Sequence, residues 1–248
     1  MVNLGFMTKP QTIAKTTKIL RKFYADNKNR GILAIYLWGS VLSRDFSVGR
    51  SDIDSIAFVE DKPSIEEDEA GKMLSQQLSN LHIRFVYVNE LKGGNIKGSL
   101  AKFIDRRLLI LDLAHWKYVT GSKSVLKNLK LESVTMDEAA RLALNQIYRR
   151  NLMEIKSDPS KEKYFAKAMM RLCFYIQQQG KKHHAFSYSY VKRTANNKTR
   201  SVVTALFELR QSGYAHEIFN KNLPLFMDFL KAHREQPLAI ERLSFPTR

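Results

Sequence analysis

Two aspartates are candidate functional residues, because charged side chains are unexpected in a stretch that otherwise has the pattern of a buried strand. Asp52 and Asp54 are two residues apart and precede the apolar run at residues 56–59. Alternate residues of a strand face the same side, so both carboxylates are expected on one face. At a separation of about 5 Å they would repel by roughly 3 kcal/mol at an effective dielectric of 20. A bound cation would remove this cost, and Mg²⁺ favours carboxylate ligands of this kind.

A Gly-Ser pair precedes the aspartates, with eleven residues between Ser40 and Asp52. Gly39 ends an apolar run at a point where the backbone must turn sharply, and glycine tolerates conformations that other residues resist. Ser40 begins the segment SVLSRDF (residues 40–46), which is predicted to be a short helix. Backbone N–H groups at the start of a helix, together with a small hydroxyl, can hold phosphate oxygens. The pattern therefore predicts a site for a phosphate compound and Mg²⁺.

The elements that must position these residues alternate between helix and strand. Helical periodicity predicts a helix over residues 10–27, and a second helix is expected within residues 100–115. An acidic helix is expected to start at Ser64, as the N-cap of a capping box with Glu67. Extended segments are predicted at residues 33–38, 52–59, 83–88 and 117–121. This order is typical of a small mixed α/β (α+β) domain.

The glycine–serine turn, the eleven-residue spacing and Asp52-Ile53-Asp54 resemble the signature of the DNA polymerase beta-like nucleotidyltransferase superfamily. The resemblance implies that Gly39, Ser40 and Ser51 help to bind a nucleoside triphosphate, with ATP the expected one. It also implies that Asp52 and Asp54 are catalytic and hold one or two Mg²⁺ ions. The layout resembles the aminoglycoside adenylyltransferases, because the second half has a helical pattern. In addition, HWKYVTG (residues 115–121) resembles the short strand-and-glycine ending of that family.

The third carboxylate of that superfamily has no counterpart at the matching place. The family pattern would put it on the strand HIRFVYV (residues 82–88), at Arg84 or, less naturally, at His82. An arginine stays protonated and cannot accept a proton. Arg84 is therefore predicted to contact the triphosphate, Glu90 is an alternative acid in another register, and loss of catalysis is a third interpretation.

The second half of the chain has the periodicity of a helical bundle. Thr135 and Glu138 form a second predicted capping box, residues 158–160 are expected to break a helix, and Gly180 is expected just after the end of another. The chain is therefore predicted to consist of a nucleotidyltransferase domain, residues 1–122, and an all-α helical bundle domain, residues 123–248.

Positive charge is concentrated in this second half. Of the formal net charge of +17, about +4 belongs to the residues before 116 and +13 to the remainder. No acidic residue occurs between Lys163 and Phe207. Positive charge tracks phosphates, and aromatic rings can stack on unpaired bases. RNA or another polyanion is therefore a predicted partner, and the predicted binding residues are Lys181, Lys182, Lys192, Arg193, Lys198 and Arg200.

Other classes of protein are disfavoured. The longest apolar run, residues 108–114, is interrupted by Asp112 and is shorter than the roughly 18 residues that suggest a membrane span. A single cysteine, Cys173, cannot form an internal disulfide, and a cytoplasmic location is expected. His183 and His184 are adjacent and would point apart, so no zinc site is predicted.

Three functions remain open on the sequence alone. The first is Mg²⁺-dependent transfer of a nucleoside monophosphate to an acceptor hydroxyl, on RNA in one version. The second is a catalytically degenerate nucleotidyltransferase fold that binds nucleic acid or another partner. The third is an aminoglycoside-type small-molecule adenylyltransferase, which the basic second half disfavours because aminoglycosides are polycations.

Overall fold

The computed structural model describes residues 7–49, 51–94, 98–100, 104–127, 134–181 and 184–234. The chain forms two compact units. The first contains Met1–Val134 and also the later segment His184–Ser189, and the second contains Thr135–His183 and Tyr190–Arg248. No helix among the described residues is both long enough and apolar enough to cross a membrane. The predicted domain boundary at residues 122/123 stays a prediction.

The first unit combines a four-stranded sheet with helices. Its strands are β1 (Ile32–Trp38), β2 (Ile53–Val59), β3 (Leu81–Tyr87) and β4 (Lys117–Gly121). Its helices are α1 (Lys9–Asn27), α2 (Glu67–Gln77), α3 (Val88–Leu91), α4 (Arg106–Leu113) and α5 (Ser124–Lys127), with 3₁₀ turns at Lys28–Arg30 and Gly39–Leu42.

The sheet is mixed, with the strand order β3-β2-β1-β4. β1 pairs antiparallel with both β2 and β4, whereas β2 and β3 are parallel and are connected through α2. The register places Trp38 opposite Asp54, and Asp54 beside His82. The site therefore lies where β1 ends and β2 begins.

Each face of the sheet carries its own apolar cluster. One face, with Ile35, Ile53 and Ala57, packs against α1 and α2. The other face carries Tyr36, Ile56 and Phe58 and packs against residues of α3 and α4. Side chains alternate along β2, so Asp54 shares the second face with Ile56 and Phe58. Packing on both faces fixes the strand that carries this aspartate.

The described part of the second unit is helical. Its helices are α6 (Met136–Gln146), α7 (Leu152–Ser157), α8 (Glu162–Gln178), α9 (Tyr188–Thr194, which begins in the first unit), α10 (Arg200–Gln211) and α11 (His216–Arg234). A π-helical turn at Ile147–Asn151 and a 3₁₀ turn at Pro159–Lys161 flank α7. The buried ring of Phe165 lies edge-on to Phe219 at 5.6 Å and 6.0 Å from Phe226, which joins α8 to α11.

The predicted fold class is confirmed: a small mixed sheet with helices is combined with a helical second part. The capping box of Thr135 and Glu138 is present, and Gly180 follows α8 with a φ of +68°. The predicted N-cap at Ser64 is wrong, because α2 starts after Glu66. The Glu67 carboxylate is directed at the edge of β3 instead of at its own helix start.

Candidate functional site

Asp52 and Asp54 flank Ile53, the first residue of β2. Asp52 is open to solvent, with 72% of its side chain exposed, and Asp54 is half-buried. The Nε2 atom of His82 lies 3.6 Å from Oδ1 of Asp52. The strand pairing therefore brings two carboxylates and one imidazole to the same end of the sheet.

Gly39 makes the turn that brings the end of β1 beside Asp54. Its φ is +76°, in the left-handed region that favours glycine. A Cβ at this position would stand 3.0 Å from Oδ2 of Asp54. The glycine is therefore required both by the backbone conformation and by the close approach of the carboxylate.

The turn after Gly39 is shorter than the predicted helix over residues 40–46. A 3₁₀ turn ends at Leu42, and Ser43 is extended. The Ser43 hydroxyl donates to the Ser40 carbonyl at 3.1 Å and accepts from the Asp45 N–H at 3.1 Å. Such side-chain bonds compete with helix continuation. The helix start that was predicted to bind phosphate is thus reduced to one turn. Within this turn the Ser40 hydroxyl lies 3.5 Å from the Asp52 carbonyl.

Ser51 has a structural role in the loop before β2. Its hydroxyl accepts a hydrogen bond from the Ser47 N–H at 3.0 Å, and the Ser51 N–H donates to the Ser47 carbonyl at 2.9 Å. The Asn80 amide donates to the Ser51 carbonyl at 3.0 Å. These bonds fix the entry into β2 and hence the position of Asp52. The predicted contact of Ser51 with nucleotide stays a prediction.

Arg84 is engaged at the edge of the sheet. Its Nη1 lies 3.1 Å from Oε1 of Glu67, while the other carboxylate oxygen of Glu67 accepts the Phe85 N–H at 2.8 Å. The Ser99 hydroxyl also donates to Glu67. Half of the Arg84 side chain is exposed. Sequence reasoning missed Glu67 as the partner, because the pairing depends on how α2 packs along β3.

The carboxylate of Glu90, the alternative acid, is hydrogen-bonded to backbone N–H groups. It is 3% exposed, and its carboxylate accepts hydrogen bonds from the N–H groups of Tyr87 and Gly98. These bonds occupy the Glu90 carboxylate at the start of α3, and its role as an alternative acid of the site stays a prediction. The described residues contain no group of three or more His, Cys, Asp or Glu side chains that could hold a metal.

Asp45 is a further residue that sequence reasoning missed. Its carboxylate accepts the Tyr188 N–H at 2.6 Å and the Ser189 N–H at 3.1 Å, at the start of α9. Lys9 donates to the nearby Ser43 carbonyl. Burial lowers the pKa of Lys9, and the charge of Asp45 offsets part of this effect. The loop after the Gly39 turn is thereby tied to a segment more than 140 residues later in the chain.

We expect Asp45→Ala to loosen the start of α9. Loss of a capping acceptor costs about 1 kcal/mol, which corresponds to about fivefold faster exchange of the Tyr188 and Ser189 amide hydrogens. Hydrogen exchange measured on peptides covering these residues checks the effect. Asp45→Asn keeps an oxygen acceptor and serves as the matched control. Equal exchange in the wild type and in Asp45→Ala would contradict this role of Asp45.

The predicted basic residues are only partly brought together. Lys192, Arg193 and Arg200 line one cleft of about 600 Å³ between α9 and α10. Lys181 and Lys198 are exposed but do not line it, and Lys182 lies outside the described residues. The cleft also contains Phe207, whose ring centroid is 5.0 Å from Nζ of Lys192. Three of the predicted basic residues therefore line a cleft, which the sequence did not predict.

Comparison of the sequence with known protein families and with curated proteins finds no match. The structure is similar to the spectinomycin adenyltransferase AAD(9) from Enterococcus faecialis, which was crystallised with ATP and spectinomycin. The TM-score is 0.52 at 15% sequence identity, and the match covers 88% of this chain and 98% of the other. At this identity the likeness concerns the fold, which is that of an adenylyltransferase with a helical second part.

Proposed function

We propose that this protein is a nucleotidyltransferase that moves a nucleoside monophosphate from a nucleoside triphosphate to an acceptor hydroxyl. The observation that carries the proposal is the pair Asp52 and Asp54 at the start of β2, with Gly39 turning directly against Asp54. The acceptor oxygen attacks the α-phosphorus, the α–β phosphoanhydride bond breaks, pyrophosphate leaves, and the hydroxyl proton is released. The fold of an ATP-binding adenylyltransferase supports the same reaction class.

Asp52 and Asp54 are the proposed Mg²⁺ ligands. Mg²⁺ in phosphoryl-transfer sites is held by one or two carboxylates together with substrate phosphates and water. This donor set fits the two aspartates, since Asp52 is largely exposed and the two residues flank Ile53 at the start of β2. When bound, the ion would neutralise phosphate charge and polarise the α-phosphate. The carboxylates themselves orient the triphosphate relative to the acceptor.

The turn at residues 39–42 is the proposed seat of the triphosphate. Its backbone N–H groups and the Ser40 hydroxyl can donate to phosphate oxygens, and Gly39 permits close approach. Ser51 is proposed to act on this site mainly by holding the loop in place, through its bonds to Ser47 and Asn80. ATP is the proposed nucleotide, because the structural neighbour was crystallised with it.

The acceptor is proposed to be RNA, because the second half of the chain carries most of the positive charge. A small polar acceptor is a second candidate, since the structural neighbour was crystallised with spectinomycin. The test is pyrophosphate release from ATP and Mg²⁺, measured with single-stranded RNA and separately with spectinomycin, kanamycin and streptomycin. Release with RNA alone supports the first acceptor, and release with an aminoglycoside refutes it.

A specific observation favours a non-catalytic candidate as well. Arg84, which stands where the resemblance expects a carboxylate, cannot accept a proton, and it is ion-paired to Glu67. A protein of this kind would bind nucleotide without releasing pyrophosphate. ATP binding without turnover on any of the acceptors above would select this candidate over the transferase.

Arg84→Gln tests the proposed contact of Arg84 with the triphosphate. A hydrogen bond to a charged group contributes about 1.5–3 kcal/mol, and we expect a loss of ATP affinity near the low end because Glu67 already engages the guanidinium. Arg30→Gln is the matched control, since Arg30 also pairs with a glutamate of α2, Glu69, but precedes β1 at its opposite end. Calorimetry with Mg²⁺-ATP measures both. Equal affinities in wild type and Arg84→Gln would remove Arg84 from the nucleotide site.

A further inference from the structure

The cleft between α9 and α10 differs from an ordinary lysine-rich surface in its shape. It has a volume of about 600 Å³, within the range of roughly 300–1,000 Å³ that is typical of small-ligand pockets. Three cations line it, Lys192, Arg193 and Arg200, and all three side chains belong to exposed residues. A concave surface focuses the field of such charges on whatever enters it.

The balance of charge in the cleft is positive. Glu208 is the only acidic residue among those that line it, and Lys221 from α11 lies 3.1 Å from the Glu208 carboxylate. Among the ion pairs of the described residues, none involves Lys192, Arg193 or Arg200. The cleft is therefore complementary to an anion.

The remaining lining residues indicate which anion. Thr204 and Gln211 supply neutral hydrogen-bonding groups, and the half-buried ring of Phe207 forms an apolar wall. A phosphate needs the cations, and a ribose and base need polar groups and an apolar or aromatic surface. A nucleotide unit combines these requirements in one ligand.

Positive charge continues outside the cleft. Lys198 and Lys181 are exposed, and neither lines it. A free mononucleotide would leave these cations unused, whereas a strand that passes through the cleft would bring further phosphates towards them. A single strand is favoured over a duplex, because Phe207 can only contact a base that is unpaired.

From these observations we infer that the α9–α10 cleft binds one nucleotide unit of a single-stranded RNA, with its phosphate among Lys192, Arg193 and Arg200 and its base or sugar against Phe207. This inference rests on the RNA part of the proposed function and does not depend on catalysis. It would hold for an active transferase and for a degenerate one.

The test is fluorescence anisotropy of a labelled oligouridylate with the full chain, without ATP or Mg²⁺, from about 50 to 200 mM KCl. The variant Lys192→Gln, Arg193→Gln, Arg200→Gln should bind at least about tenfold more weakly. Its log–log salt slope should be smaller by about 0.7, since one phosphate contact of a single strand is lost. The control Lys18→Gln, Lys62→Gln, Lys72→Gln removes the same charge from exposed residues of the first unit and should leave the slope unchanged.

Two further measurements test whether the Phe207 ring contacts a base and whether the ligand is RNA or a free mononucleotide. Phe207→Leu should weaken RNA binding about fivefold or more with an unchanged salt slope, because it removes stacking and no charge. AMP should compete with the oligonucleotide only at far higher concentration. Equal losses in the cleft variant and its control, or competition by AMP at the concentration of RNA, would overturn the inference. Because no turnover is measured, failure of the transferase proposal would appear separately as absent pyrophosphate release.

Discussion

Asp52→Asn combined with Asp54→Asn is expected to abolish pyrophosphate release. Both proposed metal ligands are then neutral amides, and removal of even one group that stabilises the transition state commonly costs about 10²- to 10³-fold in rate. Mg²⁺-dependent binding of ATP should disappear with it, since amides are weak ligands for Mg²⁺. Release of pyrophosphate measures the first effect and calorimetry with Mg²⁺-ATP the second.

The fold of this double variant should be unaffected. Asp52 is 72% exposed, and replacing two carboxylates that are close in sequence by amides removes a repulsion. The midpoint of thermal unfolding should therefore stay level or rise. Asp61→Asn with Asp68→Asn, at two exposed aspartates after β2, changes the net charge equally and should retain activity. Unchanged Mg²⁺-ATP affinity in the Asp52 and Asp54 variant would show that the nucleotide site lies elsewhere.

Gly39→Ala is expected to have the second largest effect. A Cβ at residue 39 would stand 3.0 Å from Oδ2 of Asp54, so the carboxylate must move by a few tenths of an ångström. The φ of +76° adds strain of about 1–2 kcal/mol for alanine. Small displacements of catalytic groups are costly, and we expect a loss of about tenfold or more in kcat/KM.

Gly49→Ala separates the effect of displacing the Asp54 carboxylate from the effect of backbone strain. Gly49 has a φ of +78°, close to that of Gly39, but no described atom lies within 4 Å of where its Cβ would stand. Both variants should lose similar stability in urea unfolding, and only Gly39→Ala should lose activity. If the two variants keep equal kcat/KM, the contact between residue 39 and Asp54 has no catalytic importance.

The strands could be predicted because their signals are local. Apolar runs mark β1, β2 and β3, and alternation predicts that Asp52 and Asp54 face the same side. Glycine at residue 39 is likewise explained by a local turn. Local patterns do not show which groups each side chain contacts after folding.

The errors arise where a side chain bonds to groups that periodicity does not reveal. Glu67 was expected to cap its own helix, but the edge of β3 offers it the Phe85 N–H and Arg84. The short helix after Gly39 stops early because Ser43 bonds the backbone around it. The contact of Asp45 with Tyr188 spans 143 residues, and no periodicity encodes such a separation.

The bond from Glu67 to β3 also bears on self-association. β3 is an edge strand of the sheet, and unpaired N–H groups on an edge invite pairing with another chain. Glu67 occupies one of these groups, and Arg84 holds the carboxylate there as a charged cover. A carboxylate at residue 84 would repel Glu67 and release the Phe85 N–H. In this chain, an acidic residue at position 84 would therefore expose a surface for aggregation.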